Sequence, residues 1–298
     1  MGAVWDLGQE FRDEARGLVI TPVNMRMTDD KDSVDIAFVC CTDVEEDALV
    51  EALFPVASST TRHRPPSYRK YYTRSNWGSG KLSLVATRAD SQGALSMYAA
   101  LEELHRHYVP RLTLLIGIAG GLDSEIEIGD VVIASRVLWY ERGKVTESGI
   151  SRELQSWSMP LVTRNLVQGV VGELRREGPE SRTSRANRRQ ADMLDFGISM
   201  RSYGSGEKVI AAELADVRNY LVTVDRKIAA VEMESGGFFA FFDLPREMQE
   251  PNLWLVIKGI SDHADPAKSD SNQAMAAHHS VRASIEVGER LLRILGNS

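Results

Sequence analysis

Leu112 to Ser135 read LTLLIGIAGGLDSEIEIGDVVIAS. The apolar run Leu112–Ile118 stops abruptly at Ala119, Gly120 and Gly121, and a second β-rich segment extends from Asp130 to Tyr140. Working outward, apolar or branched runs at Ile36–Cys41, Leu82–Thr87, Ile228–Val231 and Leu253–Ile260 alternate with helical patterns at Glu45–Leu53, Gln92–His107, about Arg164–Arg176, and Asn272–Leu295. A further short strand is predicted at Lys208–Ile210. Strands that alternate with helices build a sheet with crossover connections, so the fold class is α/β.

The first 33 residues read as an N-terminal extension to a single domain over 34–298. Within it Val4, Leu7, Phe11, Ala15 and Leu18 recur at helical spacing and predict a short amphipathic helix, with Gly8 weighing against it.

The chain has 298 residues, 43% of them hydrophobic and 26% charged, which suits a globular protein with a full core. Its formal net charge of -7 argues against nucleic acid and anionic membranes as partners, since both require a cationic face. A small molecule is the better partner. The two cysteines are neighbours, Cys40 and Cys41, and cannot join distant segments, which points to a reducing compartment. No run approaches the length of a membrane span, and the N-terminus lacks a basic-then-apolar signal pattern, so a cytoplasmic location is expected.

Ligands of open α/β sheets sit beyond the carboxyl ends of the strands. Four such ends are Cys41–Glu46, Ile118–Gly121, Val231–Glu234 and Ile260–Asp262; three carry carboxylates and one is glycine-rich. The glycines form either a structural turn or a loop whose backbone lies against a ligand. They are no Walker A loop, because no Gly-Lys-Ser or Gly-Lys-Thr follows. Glu232, Met233 and Glu234 mark a strand-to-helix passage, where a carboxylate either complements the helix dipole or accepts hydrogen bonds from sugar hydroxyls. Ser261, Asp262 and Asp265 form either an Asx turn or an acid able to protonate a leaving group. Phe238, Phe239, Phe241 and Phe242 read as packing, and His278 and His279 face different directions on a helix. No cluster has metal spacing, so neither metal nor cofactor is expected.

Taken together, GIAGGLDSEIEIGDVVIAS from Gly117, GSGEKVIA from Gly204, VEMESGG from Val231 and IKGISDHAD from Ile257 resemble the nucleoside phosphorylase and nucleosidase superfamily, which includes methylthioadenosine/S-adenosylhomocysteine nucleosidases and nucleotide-cleaving relatives. The resemblance covers about residues 35–296 and implies a single three-layer domain, a central mixed sheet flanked by helices. It implies that Asp262 donates a proton to purine N7 and that Glu234 binds the ribose hydroxyls, with Met233 packing beside the sugar. Glu46, or in second place Glu45, falls where nucleosidases carry the glutamate that activates water. Ile118, Ala119 and Gly120 correspond to the backbone loop beside the sugar, and Val209 and Ile210 to the segment holding the base; Glu232 and Ser261 flank the two acids.

Departure of a purine from ribose builds positive charge on the sugar and negative charge on the base, so an acid at the base and anions at the ribose are the groups the chemistry needs. Hexameric phosphorylases of the superfamily place an arginine and a serine where this chain has Leu115 and Ile118, neither of which can hold phosphate. Hydrolysis of an adenine nucleoside or nucleotide is therefore expected. Phosphorolysis and ligand sensing without turnover remain the alternatives. Val209 stands where related enzymes stack a phenylalanine on adenine, and Lys268 resembles nucleosidase domains of nucleotide-degrading proteins. Two basic groups, Arg182–Arg189 and Arg62, Arg64, Arg69 and Lys70, are candidates for a 5′-phosphate pocket or plain solvated loops. Relatives form homo-oligomers, and the same is expected here.

Overall fold

The structure is a computed structural model and describes residues 12–13, 18–19, 31–65, 67–147, 149–177, 194–208, 214–244, 253–264 and 270–296. The chain divides into two compact units, Met1–Lys31 and Asp32–Ser298. In the first, β1 (Arg12–Asp13) and β2 (Leu18–Val19) pair antiparallel, with Arg12 opposite Val19. These residues are extended where the apolar spacing predicts a helix. A helix of this length is marginal without packing, so periodicity alone does not decide its conformation.

The second unit runs β3 (Asp32–Cys40), α1 (Asp43–Leu53), β4 (Thr60–Arg64), β5 (Arg69–Trp77), β6 (Leu82–Arg88), α2 (Ala94–His107), β7 (Tyr108–Gly121), β8 (Val131–Trp139), β9 (Gly143–Thr146), β10 (Gly149–Arg152), β11 (Gln155–Ser158), α3 (Leu161–Glu177), β12 (Ile198–Ser205), α4 (Leu214–Val224), β13 (Ile228–Glu232), α5 (Ser235–Asp243), β14 (Leu253–Asp262) and α6 (Gln273–Gly296). Ten of these strands form one sheet in the order β11-β8-β12-β13-β7-β3-β6-β5-β4, with β14 between β7 and β8. The sheet is mixed. β7 is parallel to β3 and β14, and β8 to β12. β14 is antiparallel to β8, and β5 to β6.

The long strand β7 organises this sheet. Its apolar stem runs between β3 and β14, and beyond the end of β3 its glycine end, still paired with β14 through Gly120, pairs with β13 at Ala230–Gly121 and Val231–Gly120. Strands β7, β14, β8, β12 and β13 thereby close a ring. Close packing at this end demands residues without side chains: a Cβ on Gly120 would lie 2.8 Å from Ala264 Cβ, and one on Gly121 3.1 Å from Ile260 Cγ2.

Period-two alternation sorts the strand residues between two cores. Ile36, Phe38, Leu112, Leu114 and Ile116 face a cluster completed by α1, α3 and α6. Ala37, Val39, Leu115 and Ala119 face one completed by α2 and the Phe238, Phe239 and Phe241 rings of α5. Helices thus cover both faces, giving three layers. Cys40 and Cys41, on opposite faces, are buried free thiols, and burial pushes both well above the ordinary thiol range.

Two features depart from the sequence reading. Lys208 sits in a bend, and the strand of that region is the preceding β12, while Val209 and Ile210 lie outside the described residues. β12 reads ISMRSYGS, whose serines and arginine carry no apolar signature; its neighbours β8 and β13 bury its last residues. The β4–β5 hairpin is polar because it forms the open edge of the sheet.

Helix α6 approaches the sheet closely where Gly259 of β14 meets the Ala276 backbone carbonyl. Gly259→Ala is expected to overpack this contact and lower stability by about 1–3 kcal/mol, measured as a fall in the urea midpoint at unchanged m-value.

Candidate active site

The carboxyl ends of β7, β13 and β14 and the start of α1 surround a cavity of about 320 Å³. Ile118, Ala119 and Gly120 line it from β7, Glu232, Met233 and Glu234 from β13 and the turn after it, and Ser261 and Asp262 from β14. Glu45 lines it from α1. Thr42, Gln92, Tyr140 and Lys208 complete much of the remaining wall. The size suits a small molecule.

Glu45 reaches the cavity because of how α1 begins. Thr42 is the N-cap, its hydroxyl accepting from Glu45 N, while Glu45 Oε2 accepts from Thr42 N at 3.0 Å and Cys41 N at 2.8 Å. This capping box turns the side chain back over the helix end. Its other oxygen accepts from Ile118 N at 2.8 Å, joining α1 to β7. The carboxylate occupies the space that a Cβ of Gly117 would fill, and Gly117 has φ +150°. Glu46, one residue on, faces another side of the helix, accepts from Tyr72 Oη at 2.8 Å and pairs with Arg88 Nε at 3.2 Å. It is not among the cavity-lining residues.

The resemblance put Glu46 ahead of Glu45, and sequence reasoning passed over the Thr42-x-x-Glu45 signature, which identifies the inward-facing one. It also passed over Lys258. That lysine interrupts the apolar strand β14 and is fully buried. Its Nζ donates to Glu234 Oε2 at 3.1 Å and lies 3.7 Å from Glu45 Oε1 and 4.0 Å from Glu232 Oε2. Burial by itself would strip its proton, but the Glu45, Glu234 and Glu232 carboxylates hold its pKa well above the ordinary lysine range. Three buried carboxylates share one cation. Burial accordingly raises Glu234 to about 7, against the pull of Lys258 and with the push of Glu232 and Glu45.

The remaining carboxylates differ in what they have left to offer. Glu232 accepts from Glu234 N at 2.9 Å and from the Ser235 amide and hydroxyl, so it mainly caps the start of α5. Glu234 Oε1 has only a long contact from Gly93 N, 3.4 Å, and faces the cavity. Asp262 Oδ1 accepts from Ala264 N at 2.8 Å, and Oδ2 from Ser261 Oγ at 2.8 Å. The same Ser261 hydroxyl lies 3.4 Å from the Ala119 carbonyl oxygen.

The basic residues singled out for a phosphate pocket are placed elsewhere. Arg64 pairs with Asp32, Arg69 with Glu103 and Asp90, and Lys70 lies near Glu46. None of these, nor Arg62, lines the cavity. Arg182–Arg189, Asp265 and Lys268 fall outside the described residues. Among the described residues no group of His, Cys, Asp and Glu could hold a metal ion, and no helix is long and apolar enough to cross a membrane.

This fold, with its cavity at the strand ends, defines a class: the model of the phosphorylase superfamily matches residues 35–295, and the chain belongs to that superfamily. Within it, the chain is 28% identical over 225 residues to the ATP nucleosidase Cap17 of Escherichia coli, covering 71% of this chain and 42% of that protein. It is 30% identical over 169 residues to the 5′-methylthioadenosine/S-adenosylhomocysteine nucleosidase of Mycobacterium bovis, covering 52% and 60%. The Neisseria meningitidis enzyme of the latter name, solved with methylthio-immucillin-A, superposes with a TM-score of 0.62 at 15% identity, over 85% of this chain and 97% of that one. The chain spans about half the length of the curated relatives it matches.

Lys258→Met removes the one cation that, among the described residues, touches all three buried carboxylates. The variant is expected to lose about 3–5 kcal/mol, the cost of leaving buried charge uncompensated. A folded-state carboxyl pKa raised above its unfolded value makes stability fall as pH rises through that window. The deficit should therefore be largest above pH 7 and narrow on acidification, as read from denaturant melts across pH.

Proposed function

We propose that the chain hydrolyses the N-glycosidic bond of an adenine nucleoside or nucleotide. The observation that carries this reading is the gathering of Asp262, Glu234 and Glu45 around one cavity, supported by the nucleosidase names of its relatives.

The roles follow from chemistry. Asp262 supplies a proton to the purine as the C–N bond breaks, so the base leaves neutral. Its two oxygens are held by Ser261 and the Ala264 amide, which fixes the orientation of the donor. Glu234 accepts hydrogen bonds from the ribose hydroxyls, and its negative charge offsets the positive charge growing on the sugar. Glu45 orients the attacking water and takes its proton. Three backbone amides anchor this carboxylate, and an ionised carboxylate has about four lone-pair sites, so it retains capacity for the water. Met233 packs beside the sugar, and Ala119 and Gly120 let it approach the backbone.

Water, rather than phosphate, is the nucleophile in this reading. Glu45, Glu232 and Glu234 all border the cavity, and a phosphate dianion placed among their ionised forms would be repelled. Among the described residues, Lys208 is the one cation in the cavity lining, and it is paired with Glu141 at 3.2 Å.

Base release should be followed by chromatography with adenosine, methylthioadenosine, AMP and ATP, each with and without phosphate. Release independent of phosphate is expected, and strict phosphate dependence would replace hydrolysis by phosphorolysis. Asp262→Asn and Glu45→Gln should each reduce turnover by about 10²–10⁴, while Glu46→Gln keeps the parent rate. An active Glu45→Gln alongside a dead Glu46→Gln would reverse the assignment.

The pH profile adds a separate check. Glu234 binds hydroxyl donors better when ionised, so kcat/KM should rise as pH passes through about 7. Glu234→Gln should flatten that limb while raising KM.

A further inference from the structure

A second cavity, of about 510 Å³, lies between α3, β8, β11, β12 and the start of β13, and shares no lining residue with the one described above. Its charge is opposite in sign. Arg136, Arg164, Arg201 and Lys227 line it together with a single carboxylate, Asp225. The chain as a whole carries -7, so four cations around one carboxylate run against the general balance.

The carboxylate is largely occupied by its own neighbours. Asp225 accepts from Ser202 Oγ at 2.7 Å and from the Lys227 backbone amide at 2.9 Å, and Arg136 stands 3.8 Å away. Arg201 is 3.9 Å from the exposed Glu125, beyond hydrogen-bond reach. Among the described residues, Arg164 and Lys227 form no ion pair. The local geometry adds to this. β12 shifts register against β8 between Arg201 and Ser202, and against β13 between Ser202 and Tyr203. Such irregularities re-aim side chains, and here Met200, Arg201 and Ser202 all border the cavity. Ser158 contributes a hydroxyl from β11.

We propose that this cavity binds an oligophosphate chain, of two or more linked phosphates. Guanidinium groups match phosphate oxygens in pairs, and the excess of three cations over carboxylates suits a polyanion better than one orthophosphate. The chain can arrive free or as the tail of a nucleoside triphosphate.

The test is calorimetric titration of the full chain with inorganic phosphate, tripolyphosphate and UTP, whose pyrimidine differs from the purine assigned to the other cavity. Tripolyphosphate should bind at least tenfold more tightly than phosphate, and more weakly as salt is added. Tighter binding of UTP than of tripolyphosphate identifies a nucleotide tail as the source, and equal or weaker binding a free oligophosphate. Both Arg164 and Lys227 are exposed, so the double substitution R164A/K227A should keep its melting temperature yet weaken tripolyphosphate binding at least tenfold. D262N should bind it like the parent, which separates this site from the catalytic cavity. Absence of binding to the parent, unchanged affinity in R164A/K227A, or an oligomer that dissociates on that substitution would each overturn the proposal, the last by assigning the cations to a subunit contact.

Discussion

The ammonium group of Lys258, sealed from solvent, is the constraint on which the strand-end cavity depends. It stands within 4.0 Å of carboxylates delivered by α1, by β13 and by the turn into α5. α1 lies far along the chain from β13 and the turn that follows it, and each carboxylate brings a charge that could not stay buried alone. One cation among three anions is an incomplete balance. Burial, with the repulsion of Glu232 and Glu45, raises the pKa of Glu234 against the pull of Lys258 and leaves that residue sensitive to whatever enters the cavity.

Backbone geometry supplies what the charges require. The glycines of β7 serve different ends along one strand: Gly117 vacates room for Glu45, whereas Gly120 and Gly121 let the chain cross toward β13 and close the ring. A residue with a side chain at Gly117 would push the Glu45 carboxylate off the Ile118 amide. Site and fold are thus adjusted to each other within five residues of sequence.

Much of this was legible from sequence because hydrophobic burial writes a clear pattern. The runs at Ile36, Leu112 and Leu253 are strands buried on both faces, and their helices α2 and α6 were bounded to within about two residues, the usual uncertainty of helix ends. β12 was not legible, since a strand of small and polar residues carries no such pattern and owes its place to neighbours distant in sequence. The residues bordering the cavity from β7, β13 and β14 could be named from the resemblance. The side on which Glu45 and Glu46 fall depends on local capping, which motif order does not encode. The function of Lys258 depends on carboxylates far along the chain, visible only when the fold assembles them.

Ser261 has one hydroxyl hydrogen and two oxygens within reach, the Asp262 carboxyl oxygen at 2.8 Å and the Ala119 carbonyl at 3.4 Å. It cannot serve both fully. When Asp262 holds a proton on that oxygen, the acid becomes the donor and the hydroxyl is free to rotate toward Ala119. A single rotor thus links the Asp262 carboxyl to the glycine turn that borders the cavity, so that a change at one is passed to the other.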